Sequence, residues 1–164
     1  PQTLTDPRGR ALLPPWRRER DRLAPAFGAV PTHRLIHGDA FAPNVILGPD
    51  GLPRLIDFEW SGPGDTAKDL ALIGGRVTGG PWYLPMPPDD VTAFVAEYAG
   101  YSQRSRLAQD TGTTDPQRLL ERRDAHELLD RLGNLLYCLS RPGEACYGRW
   151  ADELARSLTI RLGG

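Results

Sequence analysis

The sequence has little of several things that usually announce a function. Its 20 Lys and Arg face 21 Asp and Glu, a formal net charge of -1. No global field therefore draws the chain to nucleic acid or to an acidic membrane surface, and neither is expected as a partner. Lysine is nearly absent, with Lys68 the sole one. No apolar run approaches the roughly 20 residues needed to span a bilayer, and no charged-then-apolar leader opens the chain. Two cysteines, Cys138 and Cys146, have no companion pair and no histidine cluster beside them. They are too few for a zinc site or a disulfide framework and read as reduced thiols of a cytoplasmic protein. His33 and His126 have no matching ligand partners and read as surface or packing residues.

What is there suits one globular domain: 164 residues, 40% hydrophobic and 25% charged, enough to bury a core. The first 15 residues are rich in Pro, Gly and polar groups, and the Pro14-Pro15 pair is unsuited to a helix interior. They are expected to form a flexible or extended lead-in, with the folded unit spanning residues 16–164. Trp16, Leu23 and Phe27 among charged neighbours outline a helix ending near Pro25. His33 to Ile36 reads as a short strand. Val45 to Leu47 and Leu52 to Ile56, separated by Gly48-Pro49-Asp50-Gly51, read as a β-hairpin. Ala67 to Arg76 is expected to be helical, capped by Asp65 or Thr66, and Gly79 to Pro88 irregular. Helices follow over Val91 to Tyr98, from Asp115-Pro116 to Leu139, and from about Trp150 to Leu162. The fold class expected is α+β, mostly helical with a small β-rich patch near the start.

The informative stretch is His37-Gly38-Asp39-Ala40-Phe41-Ala42-Pro43-Asn44, followed after the hairpin by Ile56-Asp57-Phe58-Glu59. It sets two carboxylates and an amide on turns beside short strands. Phosphoryl transfer needs such a set, because the charge developing on the phosphate must be met by metal ions and the attacking hydroxyl must be positioned and deprotonated. Magnesium prefers hard oxygen ligands, which an Asp, an Asn carbonyl, waters and phosphate oxygens supply.

The stretch resembles the aminoglycoside phosphotransferase and choline kinase family, whose signature is H-G-D-x4-N followed by a strand and I-D-[FW]-[EGD]. The likeness continues through Gly64-Asp65 to Asp69-Leu70-Ala71 and spans Leu35 to Ala71. One departure is Thr66, where the family usually has Pro. The resemblance implies a protein-kinase-like fold, of which this chain carries the C-terminal lobe, with the hairpin presenting the catalytic and metal-binding loops. It implies Asp39 as the base that accepts or orients the substrate hydroxyl proton, Asn44 and Asp57 as ligands of Mg2+, and ATP or GTP as phosphate donor. It also implies that His37 and Asp69 support the catalytic loop, Asp69 by accepting backbone hydrogen bonds. Gly38 in place of the protein-kinase Arg, and Glu59 in place of the final Gly of D-F-G, point to a small-molecule hydroxyl acceptor.

In kinase-like folds a preceding β-rich lobe supplies the phosphate-covering loop, a lysine and the adenine hinge. The 36 residues ahead of His37 contain no glycine-rich strand-turn-strand and no lysine. An N-terminal lobe, a partner chain or a homodimer is therefore expected to complete the site, and the surface that receives it is expected to be apolar. The isolated chain is expected to transfer phosphate weakly or not at all. Two other readings are a catalytically silent scaffold that kept the fold and a kinase acting on a peptide. Trp16, Trp82 and Trp150 read as core before pocket lining. Glu121, Asp124, Glu127 and Asp130 lie among Arg118, Arg122, Arg123 and Arg131, which reads as a solvated, salt-paired helix face.

Overall fold

The computed structural model describes residues 6–28, 34–104 and 115–163. Its elements run α1 (Pro7–Phe27), β1 (Arg34–Ile36), β2 (Val45–Leu47), β3 (Pro53–Leu55), β4 (Gly62–Gly64), α2 (Thr66–Ile73), β5 (Gly74–Gly75), β6 (Leu84–Pro85), α3 (Pro88–Arg104), α4 (Pro116–Leu139) and α5 (Ala145–Gly163). The helix-dominated mixture with a few short strands is the α+β class expected. The strand read over His33 to Ile36 covers Arg34–Ile36, and His33 lies outside the described residues.

The expected lead-in requires correction. Helix α1 begins at Pro7, so of the first 15 residues 1–5 lie outside the described part, and Pro14 and Pro15 stand inside the helix. Each interior proline removes one donor and crowds the preceding turn, at about 3 kcal/mol. Tertiary packing overrides that cost. Leu12 and Leu23 are buried in the same core as Leu128, Leu132 and Leu135 of α4 and Leu154 and Leu158 of α5, and a fully buried Leu contributes about 2 kcal/mol by leaving water. Local chemistry assists: Asp6 caps the helix by accepting from the Arg8 N–H at 2.9 Å, and Pro7 sits in the first turn, where no donor is needed.

The strands form three small pairs. β2 and β3 are the antiparallel hairpin read from the sequence, with Val45 opposite Leu55 and Leu47 opposite Pro53. Around it, β1 pairs antiparallel with β4, Ile36 opposite Gly62 and Arg34 opposite Gly64. A side chain at Gly64 would meet Ile36 Cδ1 at 2.4 Å, so glycine there lets the Ile36 side chain keep its place over the pair. β5 and β6 form a two-residue parallel pair. The nested arrangement places residues 37–44 and 56–61 side by side between the two antiparallel pairs.

Helix α2 connects this patch to the helices. Asp65 caps it, accepting from the Ala67 N–H at 3.1 Å. Ala67 and Leu70 pack in a second core with Val95 and Ala99 of α3 and Leu119 of α4. The expected solvated face of α4 is a second correction: Arg122, Arg123, Glu127 and Arg131 are all buried, Arg131 completely. Arg122 Nε pairs with Asp65 Oδ2 at 3.0 Å. Arg123 pairs with Glu127 and donates to the Gly74 carbonyl, while Glu127 Oε1 accepts from the Val77 N–H at 2.9 Å. Arg131 donates to the Ala71 carbonyl at 2.8 Å and to the Val77 carbonyl at 3.2 Å. The physical reason is the exposed-carbonyl problem at the end of α2. Its last carbonyls have no helical partner, and arginines can follow them into a buried site. Gly75 is required there, since a Cβ would come within 2.3 Å of both Arg123 and Glu127.

Candidate active site

The residues read as a candidate catalytic loop gather where the two antiparallel pairs end. His37 follows β1 directly and is buried. Its main-chain N–H donates to Asp69 Oδ2 at 2.7 Å and that of Gly38 donates to Asp69 Oδ1 at 2.9 Å. One half-buried carboxylate in the first turn of α2 thus receives two adjacent backbone donors. The His37 ring spans to the other loop. Its Nδ1 accepts from the Asp39 N–H at 3.3 Å, which leaves the proton on Nε2 to be donated to the Ile56 carbonyl at 2.9 Å. Phe58 packs against the same ring at 4.5 Å between centroids.

Gly38 adopts φ +82, and a Cβ there would lie 2.3 Å from the Trp60 carbonyl oxygen. Only glycine permits this approach of loop 37–39 to residues 58–60.

Asn44 ties the chemistry-bearing residues together. Its Nδ2 donates to the Asp39 carbonyl at 2.9 Å and to Asp39 Oδ2 at 2.8 Å. Its own carbonyl accepts from the Ile56 N–H at 2.9 Å. Asn44 therefore sits between Asp39 and the residue preceding Asp57. With the amide nitrogen engaged, Oδ1 is the atom left for a further partner. Asp57 has φ 65 and ψ 65, the left-handed region, and is the one non-glycine residue with positive φ among those described. Such a backbone costs on the order of 1 kcal/mol and collects at sites where a side chain must be aimed. The Asp57 side chain is exposed.

These oxygens fit a magnesium ion. The described residues hold no cluster of three or more His, Cys, Asp or Glu that could cage a metal. Mg2+ does not need one, because it is commonly held by one or two protein oxygens with waters and substrate phosphates completing its shell. The Asn44 Oδ1 and the Asp57 carboxylate are the donors this chain offers.

Residues 3–108 match the family model of the phosphotransferase enzyme family. The chain belongs to that family. The match covers more than half of the chain and reaches well beyond the Leu35 to Ala71 stretch, taking in α1 and α3. No curated protein and no solved structure matches.

Within this phosphotransferase-family chain, a cavity of about 520 Å3 opens beside Asp39 and is lined also by Trp60, Trp82, Asn134, Tyr137 and Tyr147. Trp82 thus does both jobs weighed for it, packing against the main core and lining the cavity, while Trp16 and Trp150 pack against the core. Sequence reasoning missed Asn134, Tyr137 and Tyr147. The signal for two of them was the i, i+3 spacing of Asn134 and Tyr137, which sets an uncharged amide and a ring on the face of α4 that otherwise carries Glu127, Asp130 and Arg131; Tyr147, on α5, gave none. His126 has a structural place, its Nε2 3.4 Å from Asp65 Oδ2 and its ring edge-on to Phe27. Among the described residues no helix is long and apolar enough to cross a membrane.

Proposed function

We propose that this chain is a kinase lobe transferring the γ-phosphate of ATP, or GTP, to a hydroxyl of a small molecule. The observation that carries the reading is Asn44. Its amide nitrogen is fixed on Asp39 and its backbone on Ile56, so one residue couples the proposed base to the proposed metal ligand Asp57. In the reaction, the Asp39 carboxylate orients the acceptor hydroxyl and takes its proton. The hydroxyl oxygen forms a bond to the γ-phosphorus as the bond from that phosphorus to the β–γ bridging oxygen breaks, and ADP or GDP leaves. Bound Mg2+, held by Asn44 Oδ1 and Asp57, would neutralise the charge on the phosphate oxygens. Asp69 and His37 hold the loop in register while this occurs.

The face around the hairpin is apolar and open: Leu47, Phe58 and Trp60 are 74%, 55% and 68% exposed. This supports the reading that a further lobe, a partner chain or a second copy covers the nucleotide there. The chain alone is then a weak enzyme. Cys138 and Cys146 are both free thiols, which suits a cytoplasmic setting.

The test is nucleotide turnover with magnesium, measured on this chain alone and together with the covering lobe or partner proposed above. Asp39→Asn should lower kcat by roughly 10^2 to 10^4-fold, the usual worth of a positioned base, without loss of folding. Asp57→Ala should abolish the stabilisation that Mg-nucleotide confers on the wild-type chain. Turnover unaffected by Asp39→Asn would remove Asp39 from the chemistry, and a folded protein inert in every form would leave a silent scaffold.

A further inference from the structure

The cavity beside Asp39 is unusual in its charge. Among the described residues that line it, Asp39 is the one carboxylate; the rest are aromatic rings and Asn134. The rings are braced edge to face, Tyr137 on Tyr147 at 5.7 Å, Tyr147 on Trp150 at 5.1 Å and Trp150 on Trp82 at 5.1 Å. At the rim the Arg141 guanidinium lies 4.3 Å from the Tyr137 ring centre and 5.2 Å from that of Tyr147. One face of each of those tyrosines is thus approached by the chain's own cation, which also sets a positive charge beside the cavity.

Asn134 is held from behind. Its Nδ2 donates to Tyr83 Oη, and the Tyr83 hydroxyl donates to Asp130 Oδ2 at 2.6 Å. Asp130 pairs with the fully buried Arg131 at 2.8 Å, and the same guanidinium stacks 3.4 Å from the Tyr83 ring centre. Burial, together with the Asp130 charge, pushes the Tyr83 hydroxyl above its ordinary pKa, so it stays a proton donor to Asp130 and an acceptor toward Asn134. The bond from Asn134 to Tyr83 uses one of the two Nδ2 donors and fixes the amide, so Oδ1 is available as an acceptor beside the remaining N–H.

Resting on the kinase reading above, we propose that this cavity is the acceptor site and that Asn134 is its specificity-determining residue, selecting an uncharged ring-bearing alcohol over a polycationic one. A sugar or aryl ring stacks its apolar face on the aromatic wall, donates one hydroxyl to Asn134 Oδ1 and presents another to Asp39. A polyamine sugar instead brings several ammonium groups to a site whose single carboxylate is needed for the hydroxyl and whose rim carries Arg141. Its charges are left unpaired, which specificity of this kind exploits.

The test titrates the full chain, without nucleotide, with phenyl β-D-glucoside as the neutral probe and kanamycin A as the polycation, following tryptophan fluorescence and calorimetric heat. The glucoside should bind at least about tenfold more tightly, the ratio one well-made hydrogen bond supplies. Asn134→Ala should weaken the glucoside by roughly the same factor, and Tyr83→Phe by less, because the amide then loses only its brace. Asn134→Asp, equal in volume, should reverse the preference by favouring kanamycin A. A merely structural role for Asn134 would not move that ratio. Tighter binding of kanamycin A to the wild type, no saturable glucoside signal, or a ratio unmoved in Asn134→Asp would each overturn the proposal. The titrations contain no nucleotide, so absent phosphate transfer would overturn the kinase reading while leaving the selectivity measured, and the converse holds for a failed selectivity.

Discussion

Helix α2 is gripped at both ends by charge, and the two grips are built differently. On the side of its first turn, the single Asp69 carboxylate reaches out to the backbone N–H groups of His37 and Gly38 in the proposed catalytic loop. At its far end, Arg123 and Arg131 of α4 close over the Gly74 and Ala71 carbonyls, with Glu127 and Asp130 as partners. The first grip holds backbone and leaves the Asp57 carboxylate standing exposed and the Asn44 Oδ1 free of the amide's own bonds. The second is sealed, and its charges answer one another. Charge that maintains the fold is buried and mutual here, whereas charge proposed for chemistry is turned outward on a backbone that other residues fix.

If that division is right, breaking the sealed grip should cost stability above all. Arg123→Met leaves Glu127, 3% exposed, without its cation, and removing one partner of a buried pair costs about 3–5 kcal/mol. Urea unfolding of Arg123→Met should show that loss, and the double variant with Glu127→Gln should recover part of it, because Gln still accepts from the Val77 N–H. A cost under about 1 kcal/mol for the single variant would mean that the network is far less dry than its burial indicates.

The next effect needs no mutation. Burial alone would raise the Asp65 pKa, but hydrogen bonds from His126 and the Ala67 N–H and the charge of Arg122 outweigh it and hold it below the ordinary 3.8. A carboxyl depressed by folding adds stability that is present above its unfolded pKa and lost as pH falls through the folded value. The urea midpoint should therefore hold steady down to about pH 4 and then fall, and in Asp65→Asn that acid-dependent fall should shrink. An identical acid profile in the variant would remove Asp65 from the account.

Legibility in the sequence followed the same line. The loop from His37 to Asn44, the hairpin and Asp57 stood out as a candidate site because they lie close together in the sequence and their residue types suit phosphoryl chemistry. The starts of α2 and α4 were legible because Asp65 and Asp115 are side-chain caps with apolar periodicity behind them, whereas the end of α2 was not, since the helix stops at Ile73 and the chain turns into β5 ahead of the expected Arg76. The buried arginines were not, since a run of alternating charge on a helix ordinarily faces water, and only the carbonyls at the end of α2, about 50 residues away in the chain, explain their burial. Asn134 was missed for the same reason: its partner Tyr83 lies 51 residues upstream. The start of α1 was misread because the two prolines carry a strong local signal, and the packing that overrides them involves α4 and α5, more than a hundred residues on.

The outward grip should respond in the opposite sense to the sealed one. Asp69→Ala strips the acceptor from the His37 and Gly38 N–H groups, at a cost of about 2 kcal/mol in stability. Phosphate transfer by the chain together with the covering lobe or partner proposed above should fall by a larger factor than the fraction unfolded accounts for, because Asp39 follows those two residues directly. Equal losses in activity and folded fraction would make Asp69 an ordinary structural residue.

The smallest effect probes the helix that the sequence concealed. Asp6 accepts from the Arg8 N–H and also pairs with the Arg8 guanidinium at 2.9 Å, while that guanidinium reaches Asp152 on α5 at 2.7 Å. Asp6 is therefore both the cap of α1 and part of its tether to the far end of the chain. Loss of a helix cap costs about 1 kcal/mol, and exposed ion pairs add little to that. Asp6→Ala should lower unfolding stability by about that amount, and Asp6→Asn, which can still cap but carries no charge, should restore most of it. Were the first 15 residues a loose lead-in, neither substitution would register. A measurable loss in Asp6→Ala with recovery in Asp6→Asn would show that α1 starts ahead of its two prolines and that the buried Leu12, six residues beyond the cap, is held by a formed helix.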